Sequence, residues 1–372
     1  MSTLKVNKIE NTATTDGGIE IDNTGHVQID GVQLPSAGPL SNRNLIINGA
    51  MQVAQRGTSS TGNTSGGYFT CDRWNANIDT MGTWSFDQSS TVPSGSGFTT
   101  SLKVSCTTAD ASPAAADAVF IQQRIEGQNL QQLAKGTSSA KAVTLSFWVR
   151  SSKPGTHIVE LRDDINTRHI AKSYTIAAAD TWQFVPLTFD GDTSGTLTNS
   201  NIRALDINFW LGGGSDFTSG TLATSWAART LANAAVGQVN LADSASNEWY
   251  ITGVQLEVGS VATPFEHRSF GTEFSLCQRY LYQLNCIAMS GQAGGSGETS
   301  KGFCAVQFPC EMRDTPSWTR PGATYSSSNL AMSDPRNSRL STQGHSTSFR
   351  ATGSGNTFFQ LTNGLWRYEA EL

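Results

Sequence analysis

Charged residues are scarce in this sequence, because Asp, Glu, Lys and Arg make up only 15% of its 372 residues, against about 25% in average soluble domains. The formal net charge is −5, so the chain lacks the excess of Lys and Arg that neutralises nucleic-acid phosphates. No run approaches the roughly 18 apolar residues of a membrane helix, and the first residues show no signal-peptide pattern. We therefore expect no nucleic-acid partner, no membrane insertion and no secretion.

Cysteine and histidine are also few, with six and five copies. The cysteines form no C-x-x-C pair and no spacing typical of zinc. We expect free thiols, with a disulfide between Cys304 and Cys310 as the alternative. No histidine lies in a recognisable catalytic motif, and we interpret Asp163-Asp164 followed by His169 as a solvated turn between two strands. The sequence therefore predicts no metal site and no enzyme.

Glycine and uncharged polar residues replace the missing charge. The 36 glycines and the 37% hydrophobic residues are ordinary for a globular core and argue against disorder. Between residues 44 and 268, short alternating runs are separated by Gly, Ser, Thr and Asp turns, with one short helix near 128–134. This pattern predicts a mainly β protein with a central jelly-roll β-sandwich at 44–268. The clearest predicted strands are 84–86, 102–106, 143–149, 158–161, 182–189, 205–211 and 249–257.

Residues 1–43 differ from the rest, because very short alternating runs are joined by tight turns, which predicts a β-strand arm. Each fully buried aliphatic side chain contributes about 1.5–3 kcal/mol. The few that the arm has cannot offset a backbone entropy cost of about 1–2 kcal/mol per residue. We therefore expect the arm to order against sister chains or a larger particle, with a floppy tail as the alternative. The residues expected at this trimer or virion interface are Leu4, Val6, Ile9, Ile19, Ile21, Val27 and Ile29.

The third predicted unit, residues 269–372, combines a neck helix with a small C-terminal β domain. The helix is predicted over 271–284 with Thr272 as its N-cap. Strands are predicted at 302–308, 358–361 and 365–368. The apolar stripe of the neck helix consists of Phe274, Cys277, Leu281 and Leu284.

Aromatic residues carry the signal for ligand binding, since the chain has nine Trp, seven Tyr and seventeen Phe. Those that alternate within predicted strands, Phe184 among them, are expected in the core. Aromatic residues beside polar loops are expected to stack on sugar rings or, alternatively, to anchor loops in the surface. The candidates for ligand binding are Tyr68, Trp74, Trp226, Trp318, Tyr325 and Trp366.

Several motifs resemble those of bacteriophage tail fibres and receptor-binding proteins. They are NLIINGAMQVAQRG (44–57), WYITGVQLEVG (249–259), ATPFE (262–266), CQRY (277–280) and FPCEMR (308–313). The first forty residues also resemble the virion-anchoring arms of marine phage fibres, and the middle unit is similar to carbohydrate-binding jelly rolls of the galactose-binding-like type. Such jelly rolls often hold structural calcium through a Glu in the first strand. Gln52 stands near that place here, and because an amide binds calcium more weakly than a carboxylate, we expect no cofactor.

The resemblance implies a homotrimeric tail fibre that is assembled in the host cytoplasm and located in the virion. Its arm would join the phage tail, an adaptor or another virion protein, and the rest would bind a host surface glycan. Two alternatives stay open: a purely structural fibre of tail, neck or head without receptor contact, and a tailspike that cleaves the glycan. The sequence thus predicts an attachment protein without enzymatic activity.

Overall fold

The chain is mainly β. The computed structural model describes residues 8–10, 18–21, 25–35, 39–286, 290–292, 299–319, 324–327, 331–332, 336–352, 358–362 and 364–372. Contacts divide the chain into two compact units, Met1–Arg268 and Ser269–Leu372. Among the described residues, no helix is both long enough and apolar enough to cross a bilayer.

The arm forms a small four-stranded antiparallel sheet in the order β1-β2-β3-β4. Its strands are β1 (Lys8–Glu10), β2 (Gly18–Ile21), β3 (Val27–Ile29) and β4 (Val32–Gln33). The register places one aliphatic residue of each strand in a single cross-strand row, Ile9, Ile19, Ile29 and Val32. We call these four residues the aliphatic row. Their exposed fractions are 59%, 43%, 42% and 50% in chain order, so a single chain leaves the row open to solvent.

The remaining residues predicted for the arm interface differ in their exposure. Ile21 is 43% exposed, and Val27 opposite it is half-buried. Leu4 and Val6 lie outside the described residues.

Two antiparallel sheets pack face to face in the first unit. One has the order β16-β13-β12-β15-β10-β7-β6, and the other has the order β14-β11-β17-β9-β8-β5. The strands are β5 (Ser59–Asn63), β6 (Gly67–Tyr68), β7 (Asn75–Asp79), β8 (Thr83–Ser89), β9 (Ser101–Thr108), β10 (Ala118–Glu126), β11 (Val143–Ser151), β12 (Gly155–Asp163), β13 (Arg168–Ile176), β14 (Gln183–Phe189), β15 (Arg203–Gly213), β16 (Ala227–Ala228) and β17 (Glu248–Val258). The short helices are α1 (Ser215–Thr218) and the 3₁₀ segments Gly127–Leu133, Leu231–Asn233 and Leu241–Asp243.

The core between the two sheets follows from strand alternation. On β11, the residues that point inward are Val143, Leu145, Phe147 and Val149. The ring of Phe147 lies 5.2 Å from that of Phe209 on the other sheet. Alternating apolar residues therefore give each sheet one buried face. All seven strands predicted from this pattern are present, as β8, β9, β11, β12, β14, β15 and β17, although β14 begins one residue after the predicted Trp182.

The alternation of apolar residues did not reveal β10, because this strand places a polar residue in the core. On β10, Gln123 points inward and is 1% exposed. Its amide oxygen accepts a hydrogen bond from the backbone N–H of Ile47 at 2.8 Å, and its amide nitrogen donates to the Ile47 carbonyl at 2.8 Å. Because both of its polar groups are satisfied, a buried Gln is tolerated in a run that does not look apolar.

The predicted solvated turn around Asp163 and His169 is wrong for these two residues, which are fully buried at the ends of β12 and β13. Asp163 accepts a hydrogen bond from the ammonium of Lys135, which lies 3.0 Å from Asp192 as well. His169 Nδ1 lies 2.9 Å from Glu160 Oε1. Paired partners offset the desolvation of these groups, which sequence spacing cannot show.

The second unit begins with α2 (Phe270–Gln278), shorter than the predicted neck helix and capped by Ser269 instead of Thr272. Phe274 and Cys277 lie on α2, whereas Leu281 and Leu284 belong to the next strand. That strand pairs along its whole length with the last strand of the chain, from Leu281 opposite Glu369 to Cys286 opposite Gly364. Sheet pairing therefore overrides the helical stripe, and the prediction for Leu281 and Leu284 is wrong.

Ten strands in the described part of this unit form three small antiparallel sheets. They are β18 (Leu281–Cys286), β19 (Ser290–Gln292), β20 (Thr299–Gln307), β21 (Ser317–Thr319), β22 (Thr324–Ser327), β23 (Ala331–Met332), β24 (Arg336–Leu340), β25 (Gly344–Thr352), β26 (Phe358–Thr362) and β27 (Gly364–Glu369). Their core contains Val306, Phe308, Met312, Trp366, Tyr368 and Ala370. Cys310 is a free thiol, which excludes the alternative of a disulfide with Cys304.

Candidate functional site

The outward face of the six-stranded sheet carries exposed aromatic side chains. Trp148 on β11 lies directly opposite Phe184 on β14, and their rings are 5.5 Å apart. Phe184 is 45% exposed, so its predicted place in the core is wrong. The physical reason is strand phase: Val185 and Phe189 take the inward positions of β14, which turns Phe184 outward.

Loop residues from both sides of this face complete a groove of about 360 Å³. The ring of Phe98 lies 5.0 Å from that of Phe265 and 5.3 Å from that of His267. We call this site the aromatic groove. Its lining residues are Ser96, Phe98, Ser146, Trp148, Phe184, Gly253, Thr263, Pro264, Phe265 and His267. Apolar rings thus form most of its wall, with hydroxyls and one imidazole between them.

A β-bulge at Gly253 shapes the floor of the aromatic groove. The pairing of β11 with β17 shifts between Ser146 and Trp148, and Gly253 adopts a left-handed φ of +63°. A Cβ atom at this position would lie 2.5 Å from the Phe98 ring. Glycine is therefore required both by the backbone conformation and by the close approach of Phe98.

Two carboxylates, the buried Glu257 and the half-buried Glu266, hold the segment after β17 against the sheet. Glu257 accepts hydrogen bonds from the backbone N–H of Thr263 at 2.8 Å and from its hydroxyl at 2.7 Å. The backbone N–H of Glu266 donates to Gln255 Oε1 at 2.8 Å, and its carboxylate accepts from the backbone N–H of Asn44 at 3.0 Å. Because these anchors flank Phe265, one wall of the groove is fixed before any ligand arrives.

A charged and aromatic strip borders the groove on the same sheet face. Arg150 lies opposite Tyr250, with its guanidinium carbon 4.7 Å from the Tyr250 ring centre. Tyr250 donates to Glu248 at 2.7 Å, and Lys103 lies 2.7 Å from the same carboxylate. Burial opposes ionisation of Glu248, but the hydrogen bonds from Lys103 and Tyr250 outweigh it and keep its pKa below the ordinary value. Ion pairs and hydrogen bonds therefore connect the side chains of this strip.

Two of the residues predicted to bind ligand are buried, which makes those predictions wrong. Trp74 is 3% exposed, and its indole N–H donates to the carbonyl of Asn48 at 3.0 Å. Trp366 is fully buried in the core of the second unit. Neither residue offers a ring face to a ligand.

The other candidates are not among the residues that line the aromatic groove. Trp226 packs partly against the main core, and its indole N–H donates to the carbonyl of Asp190 at 2.7 Å, as expected of a loop anchor. Tyr68 is half-buried on the opposite sheet, with the Arg56 guanidinium carbon 5.1 Å from its ring centre. Trp318 is half-buried with its ring 5.3 Å from that of Trp366. Tyr325 belongs to β22, and its side chain lies outside the described residues.

Sequence reasoning missed the residues that form the aromatic groove. Trp148 and Phe184 were detectable, because each alternates with smaller apolar residues of its own strand. Phe98 and Phe265 come from two loops far apart in the sequence, and no spacing rule joins them.

Comparisons with known proteins give distant likenesses. The sequence matches no protein-family model and no curated protein. The enzymatically active domain of tailspike protein 4 of bacteriophage CBA120 matches with 15% identity and a TM-score of 0.29, over 58% of this chain and 21% of that one. The carbohydrate-binding module TmCBM61, solved with β-1,4-galactotriose, matches with 10% identity and a TM-score of 0.30, over 58% of this chain and 99% of that one.

The family 11 carbohydrate-binding module of Clostridium thermocellum, solved with a β-1,3-1,4-mixed-linked tetrasaccharide, has 12% identity and a TM-score of 0.29. That match covers 55% of this chain and 97% of the module. Likenesses of this size assign neither a ligand nor an activity to the chain. A functional proposal therefore has to rest on the geometry of the groove and on the sequence motifs.

Proposed function

We propose that this protein binds a glycan in the aromatic groove. The observation that carries the proposal is the pair of Phe184, which is exposed, and Trp148, which is half-buried, in a groove of about 360 Å³. Sugars bind by placing their apolar ring faces on aromatic side chains while nearby polar groups pair with their hydroxyls. Ser146 and the exposed imidazole of His267 line the groove and supply such polar groups.

We further propose that the protein is a homotrimeric phage tail fibre that attaches the virion to a bacterial surface glycan. The tail-fibre motifs and the open aliphatic row of the arm support this proposal. Three weak sites on one fibre, and several fibres on one particle, would combine into firm adhesion through effective concentration. The glycan role depends on the groove, and the fibre role depends on the arm, so each is tested separately.

The groove is tested by changing Phe184→Ala and, separately, Trp148→Ala in the full chain. We expect binding to the preferred glycan of an array, and to host cells, to weaken about tenfold or more, because each change removes one stacking face. Phe270→Ala is the matched control, since Phe270 is 58% exposed and belongs to the second unit.

Four outcomes decide between the functions. Loss of binding in the groove variants with normal binding of the control supports the proposal. Unchanged binding in both variants contradicts the aromatic groove as the site. Release of new reducing ends from the glycan favours the glycan-cleaving tailspike, and a protein that binds no host glycan favours the purely structural fibre.

A further inference from the structure

Two of the hydroxyl groups that line the aromatic groove are already engaged within the protein. The Thr263 hydroxyl donates to Glu257 at 2.7 Å and accepts from Arg43 Nε at 2.8 Å. The Ser96 hydroxyl donates to the carbonyl of Pro93 at 2.6 Å. A ligand that used either hydroxyl would have to compete with these bonds, so neither is a ready partner for a sugar.

Few polar side chains of the groove are left to pair with a ligand. In the described part of the chain, no hydrogen bond to another protein group is found for the Ser146 hydroxyl, the Trp148 indole N–H or the His267 imidazole. The remaining side chains of the wall are apolar: Phe98, Phe184, Pro264 and Phe265. A hydroxyl that turns toward this apolar wall loses water and gains no partner, which is costly.

Three rings meet where the two loops of the groove come together. The ring centres of Phe98, Phe265 and His267 lie 5.0, 5.3 and 4.9 Å from one another. We call these three residues the aromatic corner. Phe98 is 7% exposed and Phe265 is half-buried, so their phenyl rings offer a small apolar surface and not a full stacking face. A methyl group covers such a surface and needs no hydrogen bond.

The aromatic corner adjoins the stacking residues of the groove at Gly253. A Cβ atom at Gly253 would lie 2.5 Å from Phe98 Cζ and 3.2 Å from Trp148 Cδ1. Both rings therefore border the same glycine. A sugar ring stacked on Trp148 would have the aromatic corner beside its edge, where a substituent of the ring is read.

From this geometry we infer that the aromatic groove selects 6-deoxyhexoses, the sugars in which a methyl group replaces the hydroxymethyl group at C6. The inference rests on the proposed glycan binding and adds the class of sugar to it. The methyl group contacts Phe98 and Phe265, and the sugar keeps one hydroxyl fewer that needs a partner. An N-acetylated sugar also brings a methyl group, but its amide adds a donor and an acceptor to a groove with few free polar groups.

The experiment uses two pairs of methyl α-glycosides that differ in the C6 hydroxyl alone. One pair is the L-rhamnoside with the L-mannoside, and the other is the L-fucoside with the L-galactoside. Binding of each to the full chain is measured by ligand-observed NMR titration. In at least one pair, we expect the 6-deoxy sugar to bind at least about fivefold more tightly than its partner. Methyl N-acetylglucosaminide should gain no such advantage over methyl glucoside.

The variants Phe265→Leu and Phe265→Asn test the aromatic corner, because the two new side chains have similar size and opposite polarity. The leucine variant should keep the preference for the 6-deoxy sugar, and the asparagine variant should reduce it to about twofold or less. The preference is a ratio of two affinities measured on one preparation, so a partly unfolded variant gives the same ratio.

Pro264→Ser is a second test that leaves the core untouched, because Pro264 is exposed on the same wall. The added hydroxyl should lower the preference for the 6-deoxy sugar as well. Phe270→Ala is the control outside the groove, since Phe270 is 58% exposed and belongs to the second unit. It should keep the full preference.

Equal binding within both pairs, no binding of any of the four glycosides, or a clear advantage of the N-acetylated sugar would overturn the inference. An unchanged preference in Phe265→Asn would overturn it as well. If Phe184→Ala and Trp148→Ala abolish binding to an arrayed glycan while no pair shows a preference, the proposed glycan function stands and only the choice of sugar fails. If those two variants leave array binding unchanged, the groove fails as the site and the inference fails with it.

Discussion

Single side chains in this protein take their role from the face of the strand on which they lie. Phe147 and Trp148 are neighbours on β11, yet Phe147 is buried between the sheets and Trp148 lines the aromatic groove. Trp74 has the polar neighbours of a surface residue but packs inside, because the carbonyl of Asn48 satisfies its indole N–H. The sequence shows which residues of a strand alternate between its two faces. It does not show which hydrogen-bond partner, such as the Asn48 carbonyl, allows a polar atom to be buried.

His157 by itself should make the stability of the protein depend on pH. It is fully buried, its ring lies 5.4 Å from that of Tyr174, and its Nδ1 has no hydrogen-bond partner among the described residues. Burial lowers its pKa from 6.5 to about 4. Because the folded-state pKa is the lower one, the unfolded chain takes up the proton first as the pH falls. The stability from neutral His157 is therefore full above about pH 6.5 and is lost progressively between pH 6.5 and 4.

We expect His157 to make the protein about 1–2 kcal/mol less stable at pH 5 than at pH 7. His157→Phe keeps an aromatic ring beside Tyr174 but cannot be protonated, so it should reduce the loss by that amount. Urea unfolding of wild type and variant at the two pH values measures the difference. An identical loss in both proteins would mean that His157 does not titrate in this range.

At the scale of elements, the motifs that resemble those of tail fibres form structural connections, and two of them also contribute to the wall of the aromatic groove. Gly253 comes from the second motif, and Thr263, Pro264 and Phe265 come from the third. The side chain of Asn44 accepts from the backbone N–H groups of Ile46 and Leu256 at 3.0 and 3.1 Å, which ties the first motif to β17. Glu257, from the second motif, holds Thr263 of the third. The motifs therefore indicated how the sandwich closes, while the groove residues Trp148 and Phe184 lie outside them.

The β-bulge on β17 is the element that allows Phe98 to approach the sheet. Gly253→Ala should cost about 2–5 kcal/mol, because a left-handed backbone and a clash with the Phe98 ring both oppose it. Glycan binding in the groove should be lost together with that stability. Urea unfolding and array binding measure the two effects.

Gly62→Ala is the control for backbone strain, since Gly62 has a φ of +71° but open space around its Cβ position. It should cost only about 1–2 kcal/mol and leave glycan binding intact. Equal costs for the two variants would show that contact with Phe98 is unimportant.

At the scale of the whole molecule, strand content was predictable and the second unit was less so. Leu281 and Leu284 do continue a helical spacing of apolar residues in the sequence. They nevertheless form a strand, because β18 pairs with β27. That pairing joins residues more than seventy positions apart, and a local period carries no information about it. The same limit applies to the aromatic groove, which is lined by loops that are far apart in the sequence.

The aliphatic row predicts self-association. Light scattering should give the mass of a trimer for the intact chain and of a monomer for a chain that starts at Asn44. Ile19→Glu combined with Ile29→Glu should also yield a monomer, since both changes place charge in a row that needs an apolar partner. Gln28→Glu is the control, because it adds a charge next to Ile29 but outside the aliphatic row. This variant should remain a trimer. A monodisperse monomer for the intact chain would contradict the homotrimer.

The entry and exit of the sandwich are fastened to each other. The backbone N–H of Asn44 bonds to Glu266, and Arg268 donates to the carbonyl of Ile46 at 2.9 Å. Tension applied between the residues before Arg43 and those after Arg268 would therefore act on these two hydrogen bonds. The two sheets would then lie outside the path of the force, so pulling on the two ends would leave the aromatic groove undistorted.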